Sequence, residues 1–173
     1  YTAGEQLVIT PALKNMFDSL PDCKLFNHYG PSETHVVTSF ELRPPTKDWM
    51  HLPPIGKPIA NVQTYILDER MRPVVPGEKG ELFLGGVALA RGYYRKEELT
   101  NERFINALDI TGKYAQQHGE SRLYKTGDLA RQMEDGNIEF LGRIDHQVKI
   151  RGFRVELGEI EAVLAKGDNV RQC

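Results

Sequence analysis

The fold of this chain is decided by two runs in its last third, Leu123-Tyr-Lys-Thr-Gly-Asp-Leu129 and Gly142-Arg-Ile-Asp-His-Gln-Val-Lys-Ile-Arg-Gly-Phe-Arg-Val-Glu-Leu-Gly-Glu-Ile-Glu161. Apolar residues alternate with polar ones along 148–155, which predicts two short strands around Gly152. From 157 to 166 the apolar spacing becomes helical. The end of the chain therefore predicts a strand pair followed by a helix.

Working back toward the N-terminus, the first third predicts a helix and then a strand. Thr10 is a typical N-cap residue and Pro11 suits the first helical position, so a helix is expected over 11–20. A short strand is expected over 24–27, and the polar run 29–33 then follows it. Ligands of open α/β sheets bind beyond the carboxyl ends of strands, which makes this run a candidate site.

The middle of the chain predicts mostly β-structure. Five prolines between Arg43 and Pro58 indicate an extended loop. Turn residues and apolar runs then predict the remaining elements. These are strands over 63–67, 81–85 and 137–141, a helix over 96–104 and a polar loop over 112–121.

Two further motifs precede the quoted runs. They are Asn27-His-Tyr-Gly-Pro-Ser-Glu33, and Gly80-Glu-Leu-Phe-Leu-Gly-Gly86 leading into Ala90-Arg-Gly-Tyr-Tyr94. Together and in this order, the four motifs resemble those of the adenylation domains of nonribosomal peptide synthetases, within the adenylate-forming (AMP-binding) superfamily. The resemblance covers nearly the whole chain.

The resemblance implies an α/β fold in two unequal parts. Residues 1–144 would form the C-terminal part of the large subdomain, with the end of an α/β sheet followed by a β-rich, barrel-like region. Residues 145–173 would hold the hinge and the start of a small, truncated α+β subdomain. The family's phosphate loop and catalytic lysine do not occur in these 173 residues. We therefore expect an excerpt that needs the remaining parts of the same domain.

The resemblance also implies how ATP and Mg2+ would bind. Asn27 would read the adenine edge, Tyr29 would stack on the base, and Gly30 lies in the same loop. The hydroxyl of Ser32 would meet the α-phosphate, and Glu33 would supply the hard oxygen ligand that Mg2+ prefers. Ser32 and Glu33 are thus the catalytic candidates. Taken alone, this run is equally typical of an ordinary turn.

Four residues near the C-terminus receive roles from the same resemblance. Asp128 would accept hydrogen bonds from the ribose hydroxyls, and Arg143 would add a cation beside them. Asp145 matches the family's hinge residue. Gly152 lies in the loop that, in this family, lines the tunnel for the phosphopantetheine arm of the carrier protein. The alternatives are a turn aspartate for Asp128, a surface ion pair for Arg143 and a plain hairpin glycine for Gly152.

The amino-acid pocket of this family is lined at positions that are occupied here by Tyr1, Ala3, His28, Val36 and Val37. The set Ala, His, Val, Val resembles pockets that accept proline or a proline-like residue, although Tyr1 departs from the expected aliphatic side chain. The alternative for Val36 and Val37 is burial in a strand.

Composition excludes several other classes of function. The chain has 22 Lys and Arg against 24 Asp and Glu, a net charge of -2 that provides no excess positive charge to hold nucleic acid. No apolar run approaches the roughly 20 residues of a membrane span. Two distant cysteines fit a reducing cytoplasm, and the spacing of the histidines and cysteines predicts no zinc site.

The sequence thus predicts part of an ATP-dependent ligase. The parent domain would join an amino acid to AMP with release of pyrophosphate, and then load it as a thioester on the phosphopantetheine of a peptidyl carrier protein. An acyl- or aryl-CoA ligase of the same superfamily is the nearest alternative. A nucleotide-binding fragment without turnover is another, since these residues alone lack two parts of the family's catalytic machinery.

Overall fold

The computed structural model describes residues 1–106 and 122–144, the backbone of 148–150 and 153–155, and the helical positions 160, 163 and 164. The predicted hinge Asp145, the predicted tunnel residue Gly152 and the loop over 112–121 lie outside the described residues. The proposed boundary between 144 and 145 consequently stays a prediction.

Helix α1 spans Pro11–Asp18 and begins where the sequence predicts. The Thr10 hydroxyl oxygen accepts a hydrogen bond from the Leu13 amide at 3.2 Å. The helix ends two residues earlier than expected. The Leu20 amide already bonds the Phe17 carbonyl in a tighter turn at 3.0 Å, and this turn closes the helix.

The cap of α1 supports a stability prediction. We expect Thr10→Ala to lower the free energy of unfolding by about 1 kcal/mol, because one amide of the first helical turn loses its side-chain acceptor. Thr10→Ser keeps the acceptor and should stay within a few tenths of a kcal/mol of the wild type. Urea denaturation measures both, and equal losses in the two variants would contradict the capping role.

The first sheet is antiparallel and has three strands in sequence order. These are β1 at Leu25–Tyr29, β2 at Thr38–Leu42 and β3 at Lys57–Pro58. β1 extends the predicted strand by two residues. The sequence does not predict β2, and β3 lies at the end of the predicted loop. In β1 the side chains alternate between buried and half-buried positions, so the strand has one face toward the core.

The second sheet has five strands and makes the middle of the chain β-rich, as predicted. The strands are β4 at Val62–Leu67, β5 at Lys79–Gly86, β6 at Phe104–Asn106, β7 at Arg122–Gln132 and β8 at Ile138–Arg143. Their order is β4-β5-β7-β6, and β8 also pairs with β7. Helix α2 spans Glu97–Arg103, within the helix predicted over 96–104, and it ends just before β6. The sequence does not predict β6 or β7.

The final described strands are β9 at Val148–Ile150 and β10 at Phe153–Val155, which pair antiparallel and confirm the strand prediction there. The mixed α/β class is also confirmed. Within the described part of the chain, no helix is long and apolar enough to span a membrane.

One hydrophobic core joins the two sheets. Tyr29 and Val37, from the first sheet and the loop before β2, pack with Leu82, Leu84 and Tyr124 of the second. The backbone joins them too, since the Ile55 amide donates to the Ile138 carbonyl at 2.8 Å and the Ile138 amide donates to that of Gly56 at 2.8 Å. This shared core brings the end of β1 next to the middle of β7.

Candidate functional site

A bulge in the middle of β7 interrupts its pairing with β5. Glu81 pairs with Leu129 and Phe83 pairs with Lys125, so β5 advances by two residues while β7 advances by four. The extra residues include Gly127, whose φ of 73° lies in the left-handed region that favours glycine. The backbone conformation thus requires the glycine of the Lys-Thr-Gly-Asp motif. The bulge also changes the direction in which the side chain of the next residue, Asp128, points from the sheet.

Side chains on both strands hold this bulge in place. The Thr126 hydroxyl donates to the Leu82 carbonyl at 2.6 Å and accepts from the Asp128 amide at 2.9 Å. Glu81 accepts from the Gly127 amide at 3.1 Å, and burial raises the pKa of this carboxyl group. The bulge is therefore built from a specific hydrogen-bond network that sets the backbone of Asp128.

The Asp128 carboxylate has two partners from distant parts of the chain. Arg143 Nη1 donates to Oδ1 at 2.8 Å, and the Tyr29 hydroxyl donates to Oδ2. The Asp128 and Arg143 side chains are only 6% and 13% exposed. The alternatives of a turn aspartate and a surface ion pair are therefore wrong, because both charges lie inside the protein and depend on each other.

The Tyr29 phenol acts as the neutral donor in this cluster. Its burial raises the pKa of Tyr29 well above the usual value, and the negative charge of Asp128 raises it further. The phenol therefore keeps its proton and donates it in a hydrogen bond to the carboxylate. The family resemblance implies a stacking surface at Tyr29 and does not predict this bond.

A cavity of about 320 Å³ opens beside this cluster. Tyr29, Asp128 and Arg143 line it, together with His28 and Phe140. Its volume falls at the lower end of the range for small-molecule sites. A carboxylate acceptor, a guanidinium donor and aromatic rings thus face one space, and this combination suits a sugar hydroxyl next to a flat ring.

The loop after β1 turns tightly at one side of the cavity. A side chain at Gly30 would put its Cβ 1.6 Å from the carbonyl oxygen of His35, so only glycine fits there. The Val37 amide then donates to the Tyr29 carbonyl at 2.8 Å and closes the loop. Ser32 is exposed near the tip of this loop.

Glu33 lies in the same loop but is buried, with 8% of its surface exposed. The Tyr93 hydroxyl donates to Glu33 Oε1 at 2.5 Å, and the Ala90 amide donates to the Glu33 carbonyl at 2.8 Å. Burial and then the Glu33 carboxylate raise the pKa of Tyr93, which keeps the phenol protonated. Tyr93 belongs to one of the sequence motifs, but the sequence predicts no role for it.

Two residues of the predicted amino-acid pocket come together at the N-terminal segment. Thr2 bridges β1 in parallel, with hydrogen bonds to Phe26 and His28 of 2.9 and 2.8 Å. The Tyr1 ring stacks on Phe26 at 5.1 Å and lies 5.2 Å from the His28 ring. Ala3 is exposed in the same segment. Tyr1 and His28 therefore share the half-buried face of β1.

The other predicted site residues are less accessible. Val37 is fully buried in the shared core, whereas Val36 is half-buried. Asn27 is 4% exposed, and its side-chain amide donates to the Pro54 carbonyl at 2.8 Å. The structure thus brings five predicted site residues to one cavity, namely His28, Tyr29, Gly30, Asp128 and Arg143. The other predicted residues that the structure describes do not line this cavity, namely Tyr1, Ala3, Asn27, Ser32, Glu33, Val36 and Val37.

Comparison with known proteins gives a consistent result. A family model described as AMP-binding enzyme matches residues 2–94. The chain is 49% identical over 172 residues to gramicidin S synthase 2 of Brevibacillus brevis, and 49% identical over 174 residues to tyrocidine synthase 2 of Brevibacillus parabrevis. Each alignment covers 99% of this chain and 4% of the relative, so the chain spans a small part of the length of these curated relatives.

Solved structures resemble the fold over almost the whole chain. IdnL1 superposes with a TM-score of 0.86 at 29% identity, covering 98% of this chain and 34% of that one. PA1221, an NRPS protein containing adenylation and PCP domains, superposes with a TM-score of 0.85 at 29% identity, covering 99% of this chain and 33% of that one.

Proposed function

The chain belongs to the AMP-binding enzyme family, and we propose that it forms part of an amino-acid adenylation domain of a nonribosomal peptide synthetase. The parent domain would activate the carboxylate of an amino acid with ATP, giving aminoacyl-AMP and pyrophosphate. It would then transfer the aminoacyl group to the phosphopantetheine thiol of a peptidyl carrier protein. The similarity to the gramicidin S and tyrocidine synthases supports this assignment.

The observation that carries the proposal is the buried Asp128–Arg143 pair beside the cavity. Asp128 would accept hydrogen bonds from the ribose hydroxyls of ATP, and Arg143 would hold the carboxylate and donate toward the sugar. Tyr29 and Gly30 would bound the base, and Asn27 would contribute its amide. Because its two hydrogen bonds already fix the orientation of the Asp128 carboxylate, the free-energy cost of reorienting it when the nucleotide binds is small.

Glu33 and Ser32 would meet the phosphate end of the nucleotide. A carboxylate is a hard oxygen ligand, and Mg2+ is typically held by one or two carboxylates plus substrate phosphates. When bound, Mg2+ would neutralise phosphate charge, so that the anionic amino-acid carboxylate can approach the α-phosphate. Glu33 would hold the cation in position, and the Ser32 hydroxyl would donate to the α-phosphate.

The amino acid would bind along Tyr1, Ala3, His28, Val36 and Val37, and we propose proline or a proline-like residue. Contact between the rings of Tyr1 and His28 supports one common wall. Partial burial lowers the pKa of His28, which favours a neutral ring suited to an apolar side chain. Val37 is fully buried in the shared core, so it would support this wall from behind and would not contact the amino acid.

The remaining assignments concern carrier loading. Asp145 would be the hinge on which the small subdomain rotates after adenylation, and Gly152 would line the phosphopantetheine tunnel. The similarity to PA1221, which contains adenylation and PCP domains in one protein, supports a carrier partner. The loading step also requires the rest of the same adenylation domain.

Exchange of labelled pyrophosphate into ATP tests the proposed reaction in the adenylation domain that contains this chain. We expect exchange to depend on one amino acid in a panel that includes proline, because only a bound carboxylate can attack the α-phosphate. Adenylate formation from fatty or aryl acids, with release by CoA, would favour a CoA ligase instead. ATP binding without exchange for any acid would indicate a non-catalytic relative.

A further inference from the structure

The Tyr93 phenol connects the loop after β1 to the segment between β5 and α2. The Tyr93 hydroxyl bonds Glu33 Oε1 at 2.5 Å, and three residues earlier the Ala90 amide bonds the Glu33 carbonyl at 2.8 Å. Segment 90–93 thus contacts both the side chain and the backbone of Glu33. Sixty residues separate Tyr93 from Glu33, so this contact comes from tertiary packing.

Tyr93 is itself held rigidly. The hydroxyl of Thr100 in helix α2 accepts from the Tyr93 amide at 2.9 Å. A Cβ at Gly92 would lie 2.5 Å from Thr100 Cγ2, which shows how closely the segment approaches the helix. The Tyr93 ring meets Phe104 edge-on at 5.8 Å. Backbone and ring are therefore both fixed, and they direct the hydroxyl to the Glu33 carboxylate.

The chemistry of the donor matters as much as its position. A phenol is neutral at physiological pH, so it can orient a carboxylate without cancelling its charge. A lysine or arginine in its place would pair with Glu33 and compete with a cation for the same carboxylate. The Tyr93–Glu33 bond thus suits a carboxylate that must be held still and remain anionic.

We propose that Tyr93 is a positioning residue for the Mg2+ ligand Glu33, holding one carboxylate oxygen so that the group meets the metal–ATP complex in a fixed orientation. This inference rests on the proposed function, because it assumes that Glu33 meets Mg2+. Tyr93 acts only through Glu33 and makes no contact with the reacting atoms. Preorganised ligands bind more tightly because less conformational freedom is lost on binding.

The test compares Tyr93→Phe with Tyr94→Phe in the adenylation domain. Tyr94 is 84% exposed, so its variant carries the same chemical change without the bond to Glu33. For Tyr93→Phe we expect the Mg2+ concentration at half-maximal pyrophosphate exchange to rise about tenfold, the effect of losing one hydrogen bond to a charged group. The KM for the amino acid should stay unchanged, and saturating Mg2+ should restore most of kcat. Tyr94→Phe should match the wild type.

A binding measurement provides a second readout. Calorimetry with α,β-methylene-ATP at low and high Mg2+ should show that the metal tightens binding less in Tyr93→Phe than in the wild type. Thr100→Val, which removes the hydroxyl acceptor of the Tyr93 amide, should shift the Mg2+ dependence in the same direction by a smaller factor. If Tyr93→Phe fails to fold, Thr100→Val still tests whether the position of Tyr93 affects the Mg2+ dependence.

The outcomes distinguish failure of the positioning role from failure of the proposed function. Wild-type Mg2+ dependence in folded Tyr93→Phe and Thr100→Val would overturn the positioning role and leave the proposed function intact. A wild-type domain that exchanges no pyrophosphate with any amino acid would overturn the proposed function itself. An equal rise in Tyr94→Phe would also reject the inference, since that variant keeps the Glu33 bond.

Discussion

Asp128→Ala is expected to weaken ATP binding to the adenylation domain by about 100-fold, the effect of losing hydrogen bonds from the ribose hydroxyls to a charged group. The substitution removes the proposed acceptor of the ribose hydroxyls. It also leaves the largely buried Arg143 guanidinium and Tyr29 hydroxyl without their shared acceptor. Calorimetric titration with ATP measures the effect directly.

Asp135→Ala is the matched control for this experiment. Asp135 lies in the exposed turn between β7 and β8, where it accepts from the Asn137 amide at 2.9 Å. Its removal should leave ATP affinity unchanged. Thermal unfolding of both variants separates a lost ligand contact from a lost fold. Wild-type ATP affinity in folded Asp128→Ala would remove this carboxylate from the nucleotide site.

A double-mutant cycle with Arg143→Ala would measure the coupling between the two charges. Because the pair is buried, either single variant should lose most of the affinity, and the double variant should lose much less than their combined effect. Simple additivity would mean that the two side chains act on ATP independently, in spite of their 2.8 Å contact.

At saturating Mg2+, Glu33→Gln is expected to lower kcat for adenylate formation by about 100-fold while changing the KM for ATP little, because charge stabilisation by a positioned metal acts mainly in the transition state. Glutamine keeps an oxygen that can accept from the Tyr93 hydroxyl, so the loop should keep its structure. Steady-state pyrophosphate exchange at several ATP concentrations separates the two parameters.

Glu97→Gln provides the control for Glu33→Gln, since Glu97 is exposed in the first turn of α2. It should show wild-type kinetics. If Glu33→Gln instead raised the KM for ATP with kcat unchanged, Glu33 would contribute uniform binding and no metal positioning specific to the transition state.

Local patterns predicted several elements well. The N-cap at Thr10 and the apolar spacing after it located α1, and the alternation near the C-terminus located β9 and β10. The cap and the strand pair each involve residues only a few positions apart, so a short stretch of sequence is enough to predict them. The end of α1 was less predictable, because Asp18 accepts hydrogen bonds from both the amide and the hydroxyl of Thr46, 28 residues away.

Strand β7 shows where local patterns fail. Its residues include Lys125, Gly127 and Asp128, which are uncommon within strands and predict a turn when taken alone. The strand forms because β5 pairs with it along one edge while β6 and β8 pair along the other. Pairing partners lie far apart in the chain, so local periodicity does not report them.

The sequence by itself determined the family and the chemical groups of the candidate site, because motifs record which side chains and glycines must follow one another in a loop. Only the tertiary structure decided how those groups act on each other. Tyr29 lies 99 residues from Asp128, and Tyr93 lies 60 from Glu33. Packing of distant segments brings these residues together. Each carboxylate then accepts a hydrogen bond from a neutral phenol that lies too far away in the sequence for any local pattern to predict the contact.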